Sequence, residues 1–428
     1  MYDGRSGSVF LQSLLDHHPE VSTFPATSVT GGVGGSHINH FLIPLDLFTW
    51  DQVVTQWPER FSILFDSTED PTFCRLNELG PEKDESFTVN VGRFQQLLLE
   101  LTKSIPCEPR SIFLATHLAW EGARGRHFSE PPVIVHALHM PDRVMVPFCR
   151  AFPEAKHMLC VRNPIRTYAS HFNHHLVRHS ILMPEQSFWL NGNNADYALS
   201  ILQGAISAYG IIAANIATTS IRAVRLEDIH ADPRMTMDRV CRWLGIQFDQ
   251  TLLTSTFAGK LHWGDRSIPH KTGPSVSASS YDWRQDYYWH DVVLLERLFL
   301  RRMHGYGYEP ISDVESIPWQ EITATLRSIM RWEVRCWSGI AQLDEATAFE
   351  QLSQKLKVHT SQGSRFGAIT RWIKQLSPTM LPTEMSGVEV ASDFQESLEC
   401  LFNAVLQRIA LCEAYLADQE SEIAIPLV

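Results

Sequence analysis

Gly4 and Gly7 flank Arg5 and Ser6 at the front of the chain, with Ser8 and Val9 directly behind. Glycine relieves the steric limits on φ, so successive backbone N–H groups can turn toward one anion. Arg5 adds a permanent charge, and Ser6 and Ser8 add hydroxyl donors. Leu11, Leu14 and Leu15 then recur at helical spacing. That spacing puts the loop at a helix N-terminus, where unpaired N–H groups and the helix dipole favour negative charge. The chemistry on offer is phosphate binding. It is not that of the Gly-x-x-x-x-Gly-Lys-Ser/Thr loop, because no Lys follows the second glycine. Short loops of this composition also precede helices without binding anything, so the meaning of this one depends on a second site.

The elements that would position such a loop follow from periodicity. Ser111–Thr116, Pro132–Leu138, His157–Val161 and Ile221–Leu226 are short apolar runs of buried-strand length. Helical patterns are expected near 51–57, 92–104, 141–151 and 196–217, over Arg234–Leu244 closed by Gly245, and over Asp291–Met303. Strands alternating with helices imply parallel crossovers and a doubly wound α/β sheet, with ligands at the C-terminal strand ends. Residues 26–40, rich in Gly, Ser and His, read as a loop at a site mouth or as an inert connection, and 255–290, rich in Gly, Ser, His and aromatics, as a long loop-like stretch. Beyond about 310 the pattern turns helical. One helix is expected over 319–341, and another carries Phe394, Leu398, Leu401, Val405, Ile409, Cys412 and Leu416 at steps of three or four. The expected division is therefore 1–310 and a helical extension, 311–428, that packs on the core or pairs two copies.

Composition narrows the partners. With 44% hydrophobic and 20% charged residues, the 428-residue chain is an ordinary soluble globular protein, and a cytoplasmic location is expected. No apolar run is long enough to span a membrane. A net charge of −12 disfavours nucleic acid or a polysulfated partner, which need a broad basic face, but leaves room for a small basic pocket. The eight cysteines show no metal-ligand spacing and read as reduced core thiols.

The second anion site is Arg162-Asn163-Pro164, after the run His157–Val161, with Ser170 eight positions beyond Arg162. Together with Arg5-Ser6-Gly7-Ser8 it resembles the sulfotransferases that use 3'-phosphoadenosine 5'-phosphosulfate (PAPS). Leu14 to Val21, Phe152 to Lys156, Arg225 to Ile229 followed by Asp232-Pro233, and Trp243 to Ile246 extend the resemblance in order over roughly residues 3 to 310. It implies a P-loop-type parallel sheet flanked by helices. It also implies that Arg5, Ser6, Gly7, Ser8 and Val9 meet the 5'-phosphosulfate, and that Arg162 and Ser170 hold the 3'-phosphate. Arg266, on a late loop with Arg284 beyond it, would add charge there. No metal is required.

Sulfuryl transfer to a hydroxyl or amine needs a proton acceptor, a role suited to His at neutral pH. The family's base sits at the end of the strand before the 3'-phosphate strand, which here is His139. His117, in Ala115-Thr116-His117-Leu118, resembles the same segment one strand earlier, and His136 is a third choice. Arg5 would also stabilise charge in the transition state. Val9 stands where the family usually carries Thr or Ser, and Ala137 stands in place of a Lys. Only three residues precede Gly4, so either the first strand is very short or the natural start lies upstream. The expected activity is transfer to a small-molecule acceptor. The alternatives are a catalytically degenerate nucleotide-binding scaffold of the same fold and a phosphoryl-transfer enzyme.

Overall fold

The computed structural model describes residues 6–25, 49–68, 75–136, 148–170, 202, 220–264, 272–276, 283–341, 343–361, 394–417 and 425–428. They belong to two compact units. Residues 1–162, 214–281 and 425–428 form the first, and 163–213 and 282–424 the second.

In the first unit, helix α1 (Ser8–Leu15) leads into strand β1 (Val21–Ser22). Helices α2 (Trp50–Arg60), α3 (Val91–Thr102) and α4 (Pro109–Ala123) follow, then β2 (Val133–Ile134) and β3 (His157–Val161). After β4 (Ile221–Arg225) come α5 (Leu226–Ala231) and α6 (Pro233–Leu244), then the strands β5 (Thr256–Phe257) and β6 (Lys260–Leu261). β1 pairs in parallel with β2, and β3 in parallel with β4, His157 opposite Ile221 and Val161 opposite Arg225. The C-terminal residues add to β4, with Val428 N–H donating to the Ala223 carbonyl at 2.9 Å. The parallel α/β class expected from the sequence is present, as two short two-stranded pairs among the described residues.

Two apolar clusters hold this unit together. Leu11, Leu14 and Leu15 of α1 pack with Cys160 of β3, Val224 of β4 and the α6 residues Met237, Val240 and Cys241. Phe24, just after β1, packs with Trp57, Phe94, Leu98 and Trp120 from α2, α3 and α4. Gln12 bridges α1 to this segment by donating from Nε2 to the Phe24 carbonyl at 2.6 Å.

The run Ser111–Thr116 is a correction. It lies inside α4, whose buried residues Ile112, Phe113, Thr116, His117 and Trp120 recur at helical spacing. A short apolar run does not distinguish a buried strand from a helix enclosed on most sides, and Pro109 at the first helical turn favours the helix. The expected runs at 157–161 and 221–226 are strands within a residue, and among the described residues of the 132–138 run the strand covers Val133–Ile134. The pattern at 196–217 lies outside the described residues apart from Leu202, and so does most of 141–151.

In the second unit, α7 (Trp289–Gly305), α8 (Trp319–Leu326), α9 (Arg331–Ala341), α10 (Glu345–Ser361) and α11 (Phe394–Ala417) pack together. The single helix expected over 319–341 is broken at 327–330. The break has an electrostatic reason. Glu333 Oε2 takes the Met330 N–H at 2.7 Å and Asp291 Oδ2 takes the Arg331 N–H at 3.0 Å, which satisfies the free donors of a new helix start. Glu333 is itself held by Arg408 of α11, Nε to Oε1 at 2.7 Å and Nη2 to Oε2 at 3.2 Å, with both side chains at 0% exposure.

Candidate functional site

The described part of the opening loop is a tight turn into α1. Gly7 caps the helix at φ 96°, ψ 17°, in the left-handed region, with no side-chain cap, and its carbonyl accepts the Leu11 N–H at 2.9 Å. A Cβ at Gly7 would lie 2.5 Å from Leu226 Cδ1. The conformation favours glycine, and a side chain there would also have to displace Leu226 of α5. Ser6 is 1% exposed; Ser8 and Val9 are half-buried, and Val9 packs against the Phe24 cluster. Arg5 lies outside the described residues.

Contacts far apart in sequence brace this turn. Phe10 stacks on His230 of α5, ring centres 5.0 Å apart, and His230 Nδ1 accepts the Ser275 N–H at 3.1 Å. Arg225 forms a two-pronged ion pair with Asp228 at 2.8 and 2.5 Å. At the other end of α1, buried Asp16 accepts from Thr256 Oγ1 at 3.0 Å and Gly259 N–H at 2.9 Å, tying the β5–β6 hairpin to the helix. His18 accepts the Glu20 N–H on Nδ1, which leaves Nε2 to donate to the Gln247 carbonyl at 2.8 Å. The motif Leu14 to Val21 is thus a turn that fastens α1 to the segment after α6. Neither Leu226 nor His230 is signalled by spacing near the loop, because each reaches it from far along the chain.

α1 also packs on β3, and Arg162 follows the last residue of β3, half-buried. The turn and the Arg162 strand end therefore belong to one packed assembly within the first unit. Asn163 opens the next helical turns, over 164–170, by accepting the Ile165 N–H on Oδ1 at 3.0 Å and the Arg166 N–H at 3.4 Å. Ser170 ends the described part of that helix and is half-buried; it belongs to the second unit.

Of the three histidines, His139 lies outside the described residues, as does Arg266. His136 follows β2 and is half-buried. His117 sits on α4 at 0% exposure, stacked on Phe24 with ring centres 3.7 Å apart and with Nδ1 3.3 Å from Ser22 Oγ. Its Nε2 has no hydrogen-bond partner among the described residues. Burial and then the neighbouring His136 hold its pKa well below the ordinary imidazole range, so it is neutral. His117 is thus an enclosed imidazole on a helix, where the sequence placed it at the end of a strand. One turn on, buried Glu121 pairs with Arg124 at 3.1 Å and Arg126 at 3.2 Å, and Arg126 also donates to the His18 carbonyl at 2.7 Å. These cations are consumed by the fold. Among the described residues no group of three His, Cys, Asp or Glu could hold a metal ion, and no helix is long and apolar enough to cross a membrane.

No curated protein matches the sequence. A solved sulfotransferase domain, from the Synechococcus PCC 7002 olefin synthase, is similar at 16% identity, covering 66% of this chain and 85% of that one, with a TM-score of 0.34. The profile of the sulfotransferase family matches residues 4–250, more than half of the chain, from the glycine turn through β3, β4 and α6. The chain belongs to the sulfotransferase family.

Proposed function

We propose that this chain moves the sulfuryl group of PAPS to a hydroxyl, or an amine, of a small-molecule acceptor, and that residues 1–310 carry the chemistry while 311–428 form a helical extension. The observation that carries the reading is the Gly7 turn, left-handed at the uncapped start of α1 and packed through that helix on the strand that delivers Arg162. Backbone N–H groups at such a turn suit an anion, and they need no reorganisation when charge develops on the bridging oxygen as the S–O bond breaks. In this reading Arg5 and the N–H groups of Ser6, Gly7 and Ser8 bind the phosphosulfate. Arg162 and Ser170 hold the 3'-phosphate, with Arg266 adding charge, so that attack is aligned. His139 accepts the acceptor's proton as the new S–O bond forms, and adenosine 3',5'-bisphosphate leaves. The protein acts in the cytoplasm.

Purified protein is expected to transfer labelled sulfate from PAPS to a member of a mixed alcohol, phenol and amine panel. Arg5→Ala and Arg162→Ala should each weaken adenosine 3',5'-bisphosphate binding by about tenfold or more, as loss of a charge-assisted hydrogen bond implies. Unchanged affinity in both variants defeats the site assignment. Tight bisphosphate binding without turnover on any acceptor would instead favour a nucleotide-binding scaffold.

A further inference from the structure

The helical turns over 164–170 carry Ser170, yet what holds them lies far along the chain, in the helices that follow residue 282. Their inward face is Ile165, Tyr168 and Ala169, at 0%, 5% and 2% exposure. Tyr287, two residues before α7, donates its buried hydroxyl to the Ile165 carbonyl at 2.6 Å. Tyr168 on that face is enclosed. Burial first, then the Glu333 carboxylate, keeps its phenol protonated. Glu333 and Arg408 neutralise each other through the two-pronged pair described above, and Arg408 Nη2 also donates to the Ser328 carbonyl at 2.7 Å. A paired buried charge set of this kind has one low-energy arrangement, because moving either partner leaves a desolvated charge unpaired. It fixes α9 against α11.

We propose that Tyr287 is a positioning residue for the nucleotide site, setting the placement of Ser170 through its hydroxyl bond to the Ile165 carbonyl. The inference rests on the reading of Ser170 as a 3'-phosphate contact. Tyr287 touches no substrate in this scheme; it acts through the helical turns that carry Ser170.

The test compares two ligands on the full-length protein by calorimetric titration: adenosine 3',5'-bisphosphate, and adenosine 5'-phosphate, which lacks the 3'-phosphate. The ratio of their affinities reports the 3'-phosphate contact alone, and a fraction of unfolded protein cancels from it. Ser170→Ala should lower the ratio by about tenfold, the effect of one hydrogen bond to a charged group. Tyr287→Phe, which keeps the ring, should lower it by about threefold or more while leaving the affinity for adenosine 5'-phosphate in place. A ratio lowered by Ser170→Ala and untouched by Tyr287→Phe overturns the positioning role alone. A ratio untouched by Ser170→Ala overturns the 3'-phosphate reading, and the positioning role with it.

Discussion

Gly7 concentrates the demands of the opening loop on one residue. Its φ of 96° is open to glycine at little cost, and the space a methyl group would need is filled by Leu226 of α5. Gly7→Ala should therefore destabilise the first unit by about 1–3 kcal/mol, from backbone strain together with a displaced Leu226, and should weaken bisphosphate binding. Chemical denaturation alongside titration checks both effects; a variant as stable as the parent would show that the turn adapts. The glycine pattern was legible because conformational need is written in residue type. The Leu226 contact was not, since it depends on β4 ending where α5 can lie against the turn.

Among the elements, the pairing of α9 with α11 makes the sharpest claim. Removing one partner of a fully enclosed ion pair leaves the other charge stranded, at a cost of about 3–5 kcal/mol, whereas replacing both by apolar residues of similar volume is often close to neutral. Arg408→Met alone is expected to lower the thermal midpoint of the second unit sharply. Adding Glu333→Leu in the same chain should recover most of that loss. A double variant as unstable as the single one would mean that Glu333 matters mainly through the Met330 N–H it caps. The periodicity of both helices could be read from spacing, and Phe394–Ala417 spans the expected run. The break at 327–330 could not, because it is set by Glu333 turning inward to a residue 75 positions away. The helix over 111–116 was misread for a related reason: enclosure on most sides removes the polar stripe that marks a helix.

For the whole molecule, pH acts with opposite signs in the two units. Burial, opposed mainly by His290, pushes Asp291 of the second unit up from the usual 3.8 to about 6. A raised carboxyl pKa means that the folded state prefers the proton. The stability this contributes is complete below pH 3.8 and is lost as pH rises through about 6. In the first unit burial lowers His157 from 6.5 to about 4. Its contribution is complete above pH 6.5 and is lost as pH falls through about 4. Measured from about pH 7 to about pH 4, the stability advantage of the parent over Asp291→Asn should grow, and its advantage over His157→Gln should shrink. Parallel curves would show that neither group's proton affinity changes on folding.

By itself the sequence determined the parallel α/β class, the strands over 157–161 and 221–225, most of the described helices, and the ordered motifs that fit the sulfotransferase family. These follow from residue type and local spacing, which act over a few residues at a time. Tertiary structure alone decided that α4 is a helix, that Leu226 and His230 brace the glycine turn, and that Tyr287 bonds to the helical turns of Ser170. Each of those outcomes turns on burial and on contacts between distant segments, and neither quantity is defined until the chain has closed on itself.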